Sequence, residues 1–424
     1  MPDPAIYDVA IIGAGPAGCS AAYSSAKAGL STLLLEEHQR VGEPVHCGEC
    51  LSLVATGRMN LQLPPETIAC RVRGIRVVFP NKASVIWREE GLVLDKHLFE
   101  QYLAVRCMGA GASLKTGARV MGMKRENGVW TLSTSNPSVS FRARAVIDCS
   151  GYEAASTKLT GLNPKKFDMV CGAQYLMEDI PQEGMIDFYL WPRLAPHGYL
   201  WMIPKRNGSA NVGLVTNEYA NAQRYLKQFV QEMGWHGKKI LRPFGGMIPC
   251  SGPLSRIYSD GLLLAGDAAG FTSPMFEGGT QLALKSGEMA ALALARAKSG
   301  VPKPEAADID AITEDGKTTY VAGFHPTPSG DPFSSHALSE YEHLCREEFP
   351  PYEKLVRGKA KFYSFSEPEL NAIGSMLPSE LVNMGPLAKA SIAAKALARF
   401  GPRVLDVRDA LDTFSYSVGE KYGW

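Results

Sequence analysis

The stretch "YDVAIIGAGPAG" (residues 7–18) decides the fold. A short apolar strand runs into a glycine turn, and "CSAAYSSAKAG" continues it as an alanine-rich helix stopped at Gly29. "STLLLEE" then reads as a second strand, so the chain opens on a βαβ unit. Gly13 permits the tight turn, Gly15 lets the backbone approach a pyrophosphate, and Gly18 lets helix and strand pack closely. Ala14, Pro16 and Ala17 fill the turn between them. The helix start offers unpaired N–H groups and a positive dipole end to phosphates. Glu36 closes the second strand about 20 residues on, where an acid accepts hydrogen bonds from adenosine ribose hydroxyls. A glycine turn without a ligand is the competing reading, and strand, helix and acid together weigh against it.

The motif alone does not separate FAD from NAD. A second segment far downstream does. "GLLLAGDAAG" (residues 261–270) ends another strand at Gly266 and Asp267. There an acid can accept from a ribityl hydroxyl, which NAD lacks. Beyond Pro274, the residues Gly278, Gly279 and Thr280 begin a long helix, read from about position 279 to 298. Its N-terminus, aimed at a flavin pyrimidine ring, would stabilise the negative charge that reduction places there. Two distant glycine-rich segments with one acid each point to FAD.

The remaining chain is consistent with that assignment. It has 424 residues, Lys+Arg 44 against Asp+Glu 43, and 45% hydrophobic residues. So even a balance gives no long-range attraction for nucleic acid. No apolar run reaches the roughly 20 residues that cross a bilayer, and residues 7–12 already read as a core strand rather than a signal peptide. Nine cysteines, an odd count without a secretory signal, imply reduced thiols and a cytoplasmic setting. The eight histidines form no metal-ligand pattern, and His46 and His197 read as loop residues without a chemical role.

The fold class expected is α/β: a discontinuous Rossmann-like FAD-binding domain, an antiparallel-sheet substrate domain and a C-terminal helical region. The first comprises residues 1–70, 95–160 and 250–300. The second comprises 71–94 and 161–249, where short alternating strands such as "MIDFYL" and "GYLWMIP" crowd together. Residues 301–424 hold an exposed excursion over 302–332, rich in Pro, Gly, Asp and Thr, and then helices. In "PLAKASIAAKALARF" (386–400), Leu387, Ala390, Ala394 and Leu397 recur at helical spacing with Lys389, Lys395 and Arg399 elsewhere. That pattern reads slightly better as a core-facing helix than as a membrane-surface one.

"PVHCGECLS" (44–52) holds Cys47 and Cys50. Zinc would need two more ligands nearby, and only His46 is there. A flavin-coupled dithiol is chemically sensible, but such enzymes carry a second glycine fingerprint for NAD(P)H, and none is visible.

On these motifs the chain resembles the geranylgeranyl reductase family, among the flavoproteins similar to p-hydroxybenzoate hydroxylase. The resemblance runs from Tyr7 to about Lys298. Its more specific parts are a Pro-x-x-Cys-Gly segment at Pro44, Cys47 and Gly48, and a Tyr-x-Trp segment at Tyr199 and Trp201 with Pro204 and Gly213 after it. The wording around Cys47 is closest to the archaeal membrane-lipid branch. Ile203 stands where the family has an aromatic residue, and Lys96 replaces an arginine at the flavin-contacting helix start, keeping charge without the planar fork.

The resemblance implies reduction of isolated prenyl double bonds in isoprenoid lipids. It also implies an apolar tunnel to the flavin, with Cys47 and Gly48 beside the ring and Tyr199, Trp201, Pro204 and Gly48 as substrate contacts. Cys50 then packs rather than reacts, with a Cys47–Cys50 disulfide as the minority alternative. Hydride from reduced FAD reaches one alkene carbon and a proton the other, the donor being Cys47, Tyr199 or a water they hold. Tyr199 and Trp201 read equally well as inward residues of a sheet core. NADPH, a deazaflavin or ferredoxin would supply the electrons, and membrane contact would be peripheral. The rivals are an oxygen-using FAD monooxygenase or halogenase, and a non-catalytic prenyl-lipid-binding flavoprotein.

Overall fold

A computed structural model describes residues 6–163, 167–300, 312–314, 317–319, 330–381 and 386–417. Most of the 302–332 excursion, including its expected exposure, lies outside the described residues.

Five parallel strands form the floor of the nucleotide site. Their order is Leu262–Leu264, Ser140–Asp148, Ile6–Ile12, Thr32–Leu35 and Ser113–Lys115, with the first strand of the chain at the centre. Val9, Ala10 and Ile11 are fully buried, as a parallel strand covered on both faces requires. Chain order reverses at this central strand, so its carboxyl end opens a crevice. The helix Pro16–Lys27 leaves from that end, and the helix Thr280–Ser299 packs on it through small residues. A Cβ on Gly287 would lie 2.1 Å from the Ala17 carbonyl oxygen, so only glycine allows this approach.

The second sheet has seven strands, in the order Ile240–Pro249, Met169–Met177, Ala210–Thr216, Tyr199–Pro204, Ile186–Tyr189, Ile75–Val78 and Ser84–Trp87. All neighbours run antiparallel except Ile186–Tyr189 with Ile75–Val78, so the sheet is mixed. A long connection separates those two strands in sequence, which is what a parallel pair needs. The register sets Trp201 beside Gly213, Gly213 beside Gln174 and Gln174 beside Phe244. Side chains directly opposite share a face, and Gly213 is small because a Cβ there would sit 2.7 Å from the Trp201 ring.

A three-stranded sheet of Cys50–Ser52, Gly91–Leu94 and Ile68–Val72 bridges the two. Among the described residues, five helices follow the excursion. Ser335–Glu348 docks under the parallel sheet through Tyr341, whose hydroxyl donates to the Leu264 carbonyl at 2.8 Å. Tyr352–Phe362 and Val404–Ser417 pack together, and Glu367–Met376 starts on a capping box of Ser366 and Glu369. The fifth, Pro386–Phe400, corrects the core-facing expectation. Leu387 is 88% and Leu397 58% exposed, Ala390 and Ala394 are exposed, and the buried residue of its last turns is Ala396. Alanine at six of its fifteen positions let either face be read as apolar, and the packed face is the other one.

Candidate functional site: a cofactor cleft that runs to Cys47

A cavity of about 710 Å³ lies between the two large sheets. At one end its wall carries Glu36 and Arg119, and at the other Cys47, Trp201, Met247 and Ile248. The glycine turn stands between. Gly13 has φ +94°, and a Cβ on it would lie 2.5 Å from the Cys149 carbonyl oxygen. On Gly18 it would lie 1.8 Å from the Gly13 oxygen, whereas on Gly15 it would meet nothing within 4 Å and enter the cleft. Glu36 ends the second strand with its side chain 10% exposed. Its Oε2 accepts from the Ala14 N–H at 2.7 Å and its Oε1 from the His38 N–H at 2.9 Å, which ties strand to turn. Pro16 and Ala17 start the helix at the cleft wall, and no side chain caps that N-terminus. The donors there remain available to an anion.

Beyond the turn, Gly266 is fixed by its N–H donating to Ser286 Oγ at 2.8 Å. Asp267 is half-buried, accepts from Thr272 Oγ1 at 3.0 Å and lines the cleft. Burial pushes its carboxyl up, against the pull of Thr272 and the Lys96 charge. The loop 273–279 is closed by Ser273 N–H to the Gly278 carbonyl at 2.9 Å. Gly279 and Thr280, in the wall, then open the long helix. Lys96 is buried with Nζ 3.0 Å from Glu100 Oε1. Burial would lower its pKa, but the charges of Glu100, Cys47 and Glu49 win and hold it up, so the cleft contains a fixed ammonium. An open pyrophosphate-sized turn, acids at Glu36 and Asp267 and this buried cation together fit FAD.

At the far end, Cys47 and Gly48 lie in the wall. Cys47 Sγ accepts from the Glu49 N–H at 3.2 Å, and the Cys47 carbonyl accepts from Gln174 Nε2 at 3.0 Å. Gln174 Oε1 in turn accepts from Trp201 Nε1 at 3.2 Å, so one relay joins indole, amide and cysteine backbone. Cys50 begins a strand and packs against the apolar cluster of the second sheet. Burial pushes its thiol well up, which disfavours the thiolate needed for disulfide exchange, and both cysteines are free. Tyr199 stands behind the wall. Its hydroxyl donates to the Phe276 carbonyl at 2.6 Å, and its ring packs with Phe188 at 4.9 Å and Trp201 at 5.8 Å. Pro204 ends the strand, and its carbonyl accepts from Cys70 Sγ at 3.3 Å. Ala14, Gly18 and Gly278 shape the site through backbone.

Sequence reasoning missed the network that seats the cysteine segment. Glu49 takes φ +74° and is 3% exposed. Its carboxylate meets Lys205 Nζ at 2.9 Å, Asn211 Nδ2 at 2.7 Å and the Lys96 N–H at 3.0 Å. Lys205 reaches on to Asp95 at 2.9 Å and the Leu94 carbonyl at 2.5 Å. The only sequence hint was a lysine placed directly after a wholly apolar strand.

Comparison with known proteins agrees with this geometry. Residues 8–161 match the FAD dependent oxidoreductase family and residues 168–248 the geranylgeranyl reductase catalytic domain. A digeranylgeranylglycerophospholipid reductase of Methanocaldococcus jannaschii is 34% identical over 299 residues, 67% of this chain and 76% of that protein. Another, from Methanococcus aeolicus, is 29% identical over 93% of this chain and 95% of its own. The crystal structure of a geranylgeranyl bacteriochlorophyll reductase-like protein from Thermoplasma acidophilum superposes with a TM-score of 0.79 at 27% identity, covering 96% and 99% of the two chains. A flavin-dependent brominase, with a TM-score of 0.66 at 15% identity, shares the fold alone. The cofactor is FAD, and the chain belongs to the geranylgeranyl reductase family.

Proposed function

We propose that the protein saturates isolated double bonds in the geranylgeranyl chains of isoprenoid phospholipids. The observation that carries this reading is a single cleft that joins the nucleotide turn to an apolar wall of Trp201, Met247 and Ile248 beside Cys47. Bound and reduced, FAD supplies hydride. This chain's own groups supply the rest. Lys96 offsets negative charge in the cleft, and the uncapped helix at Gly279 adds its positive end. The Trp201 face tolerates cationic character on a tertiary carbon. Cys47, fixed by Gln174 and Glu49, borders the reacting bond. An external donor, NADPH, a deazaflavin or ferredoxin, returns the electrons.

Anaerobic turnover of reduced protein with an unsaturated prenyl phospholipid tests the reading. Each bond saturated should add two hydrogens to the lipid mass as flavin absorbance returns. Unchanged lipid, with reoxidation only by oxygen plus halide or an aromatic compound, would assign the chain to the oxygen-using class instead. The Cys47→Ala variant is expected to keep its FAD and lose turnover by up to about 10²-fold. Native turnover in that variant would remove the cysteine from the mechanism.

A lipid substrate has to be met at its membrane, and among the described residues no helix is long and apolar enough to cross one. The outward face of Pro386–Phe400 suits peripheral contact. Leu387 and Leu397 project from it, Leu405 is 56% exposed just beyond, and neither Lys395 nor Arg399 has a carboxylate partner among the described residues. Sedimentation with anionic vesicles should fall for a Leu387→Ser, Leu397→Ser double variant that retains FAD. Equal sedimentation of native and variant chains would dismiss this face.

A further inference from the structure

The loop 273–279 carries a glutamate at a position that glycine would fill with less strain. Glu277 has φ +52°, a conformation that side chains with a Cβ adopt at about 1 kcal/mol or more. It contributes to the cleft wall, yet its carboxylate is only 3% exposed and turns toward the helix Tyr352–Phe362. There Oε1 lies 2.8 Å from Nζ of Lys359, itself 11% exposed, while Oε2 accepts no hydrogen bond. The Tyr363 hydroxyl, just beyond that helix, is also buried without a hydrogen bond. Two further titratable groups face the same carboxylate. They are Tyr199 from the Tyr199–Pro204 strand and Cys250 after the Ile240–Pro249 strand.

A buried carboxylate with one oxygen unsatisfied is a poor resting state for the charged form. Burial raises the Glu277 pKa, and the opposing pulls of Lys359 and of the neighbouring Tyr199 hydroxyl do not cancel it. The same carboxylate raises the Tyr199 and Tyr363 hydroxyls, after burial as the larger cause. On its far side the Tyr363 ring packs edge-on against that of exposed His197 at 6.4 Å.

We propose that Glu277 is the acid that supplies the proton half of the double-bond reduction, with Lys359 positioning it and stabilising its conjugate base. This rests on the reductase reading above. Hydride forms the C–H bond at one alkene carbon, and the π pair takes the carboxyl proton at the other. The flavin is oxidised, the lipid gains two hydrogens, and the carboxylate is left opposite the Lys359 ammonium. Solvent returns the proton to the carboxylate after product leaves. The acid is thus separate from Cys47, which borders the bond without having to donate.

The test follows the protonation of Glu277 in two ways. In FAD-free protein, infrared titration should show a protonated-carboxyl band that persists above the ordinary carboxylate range and is missing in Glu277→Gln. In FAD-loaded protein, alkene reduction should fall as pH rises through that same titration. Glu277→Gln should lose this limb and about 10²-fold in rate, with dithionite reduction of its flavin unchanged. Lys359→Met, which removes the group that lowers the Glu277 pKa, should move the limb to higher pH. A native limb in Glu277→Gln, an unmoved limb in Lys359→Met, or a missing infrared band overturns the assignment. If Glu277→Gln fails to take up FAD, the Lys359→Met limb and the native band decide alone. Native protein that reduces no lipid at any pH defeats the reductase reading itself, and the proposal with it.

Discussion

A Gly18→Val chain is expected to purify without colour and to be destabilised by about 4 kcal/mol or more. The Cβ would arrive 1.8 Å from the Gly13 carbonyl oxygen, and both partners are backbone, so no side chain can rotate away. Strand and helix would have to separate at the point where the turn is made. Gly15→Val isolates the cofactor from the fold. A side chain there meets no protein atom within 4 Å, so the variant should keep its urea midpoint and lose FAD because it fills the cleft. The two variants together distinguish a turn that packs from a turn that binds. Yellow Gly18→Val protein with a native midpoint would contradict the packing argument, and yellow Gly15→Val protein would contradict the placement of the pyrophosphate.

Lys205→Met should cost about 3–5 kcal/mol, because removing one partner strands buried carboxylates. Glu49 would keep only Asn211 and the Lys96 N–H, and Asp95 only Arg206 on its other oxygen at 2.8 Å. The loss should depend on pH. Burial pushes the Asp95 carboxyl up, but Lys205 and Arg206 outweigh it and hold its pKa below the ordinary value. Its stabilising contribution is therefore present above the unfolded-state pKa and disappears as pH falls through the folded one. The gap between native and variant urea midpoints should be widest near neutrality and narrow in acid. A constant gap would mean that the lysine acts through packing of its stem. Since Glu49 also donates its N–H to Cys47 Sγ, the Cys47 thiol of the variant should be alkylated faster.

What the sequence disclosed and what it hid follow the same division. The glycine turn, Glu36, Asp267 and the two segments at Cys47 and Trp201 were legible because each is local: a strand, a turn and a helix start within a few residues. Glu49, Lys205 and Asp95 were not, since the partners are more than 100 residues apart and the lysine reads as an ordinary cation before a turn. Tyr199 and Trp201 share a strand and a face, yet the first is bonded to Phe276 behind the wall and the second lines it. Alternation gives the face and not the depth. Glu277 was hidden differently, inside a glycine segment whose backbone role explained it too easily.

The central strand has a bearing on biosynthesis. Its neighbours come from residues 32–35 on one side and 140–148 on the other, and the next from 262–264. A nascent chain therefore makes its phosphate-binding turn early and completes the surrounding crevice only after the helix ending at Ser299 has left the ribosome. Until then the helix Pro16–Lys27 lacks the helix that packs on it. Full enclosure of the flavin is therefore a late event in synthesis, because Asp267, Gly279 and Thr280 are among the last cleft residues to emerge.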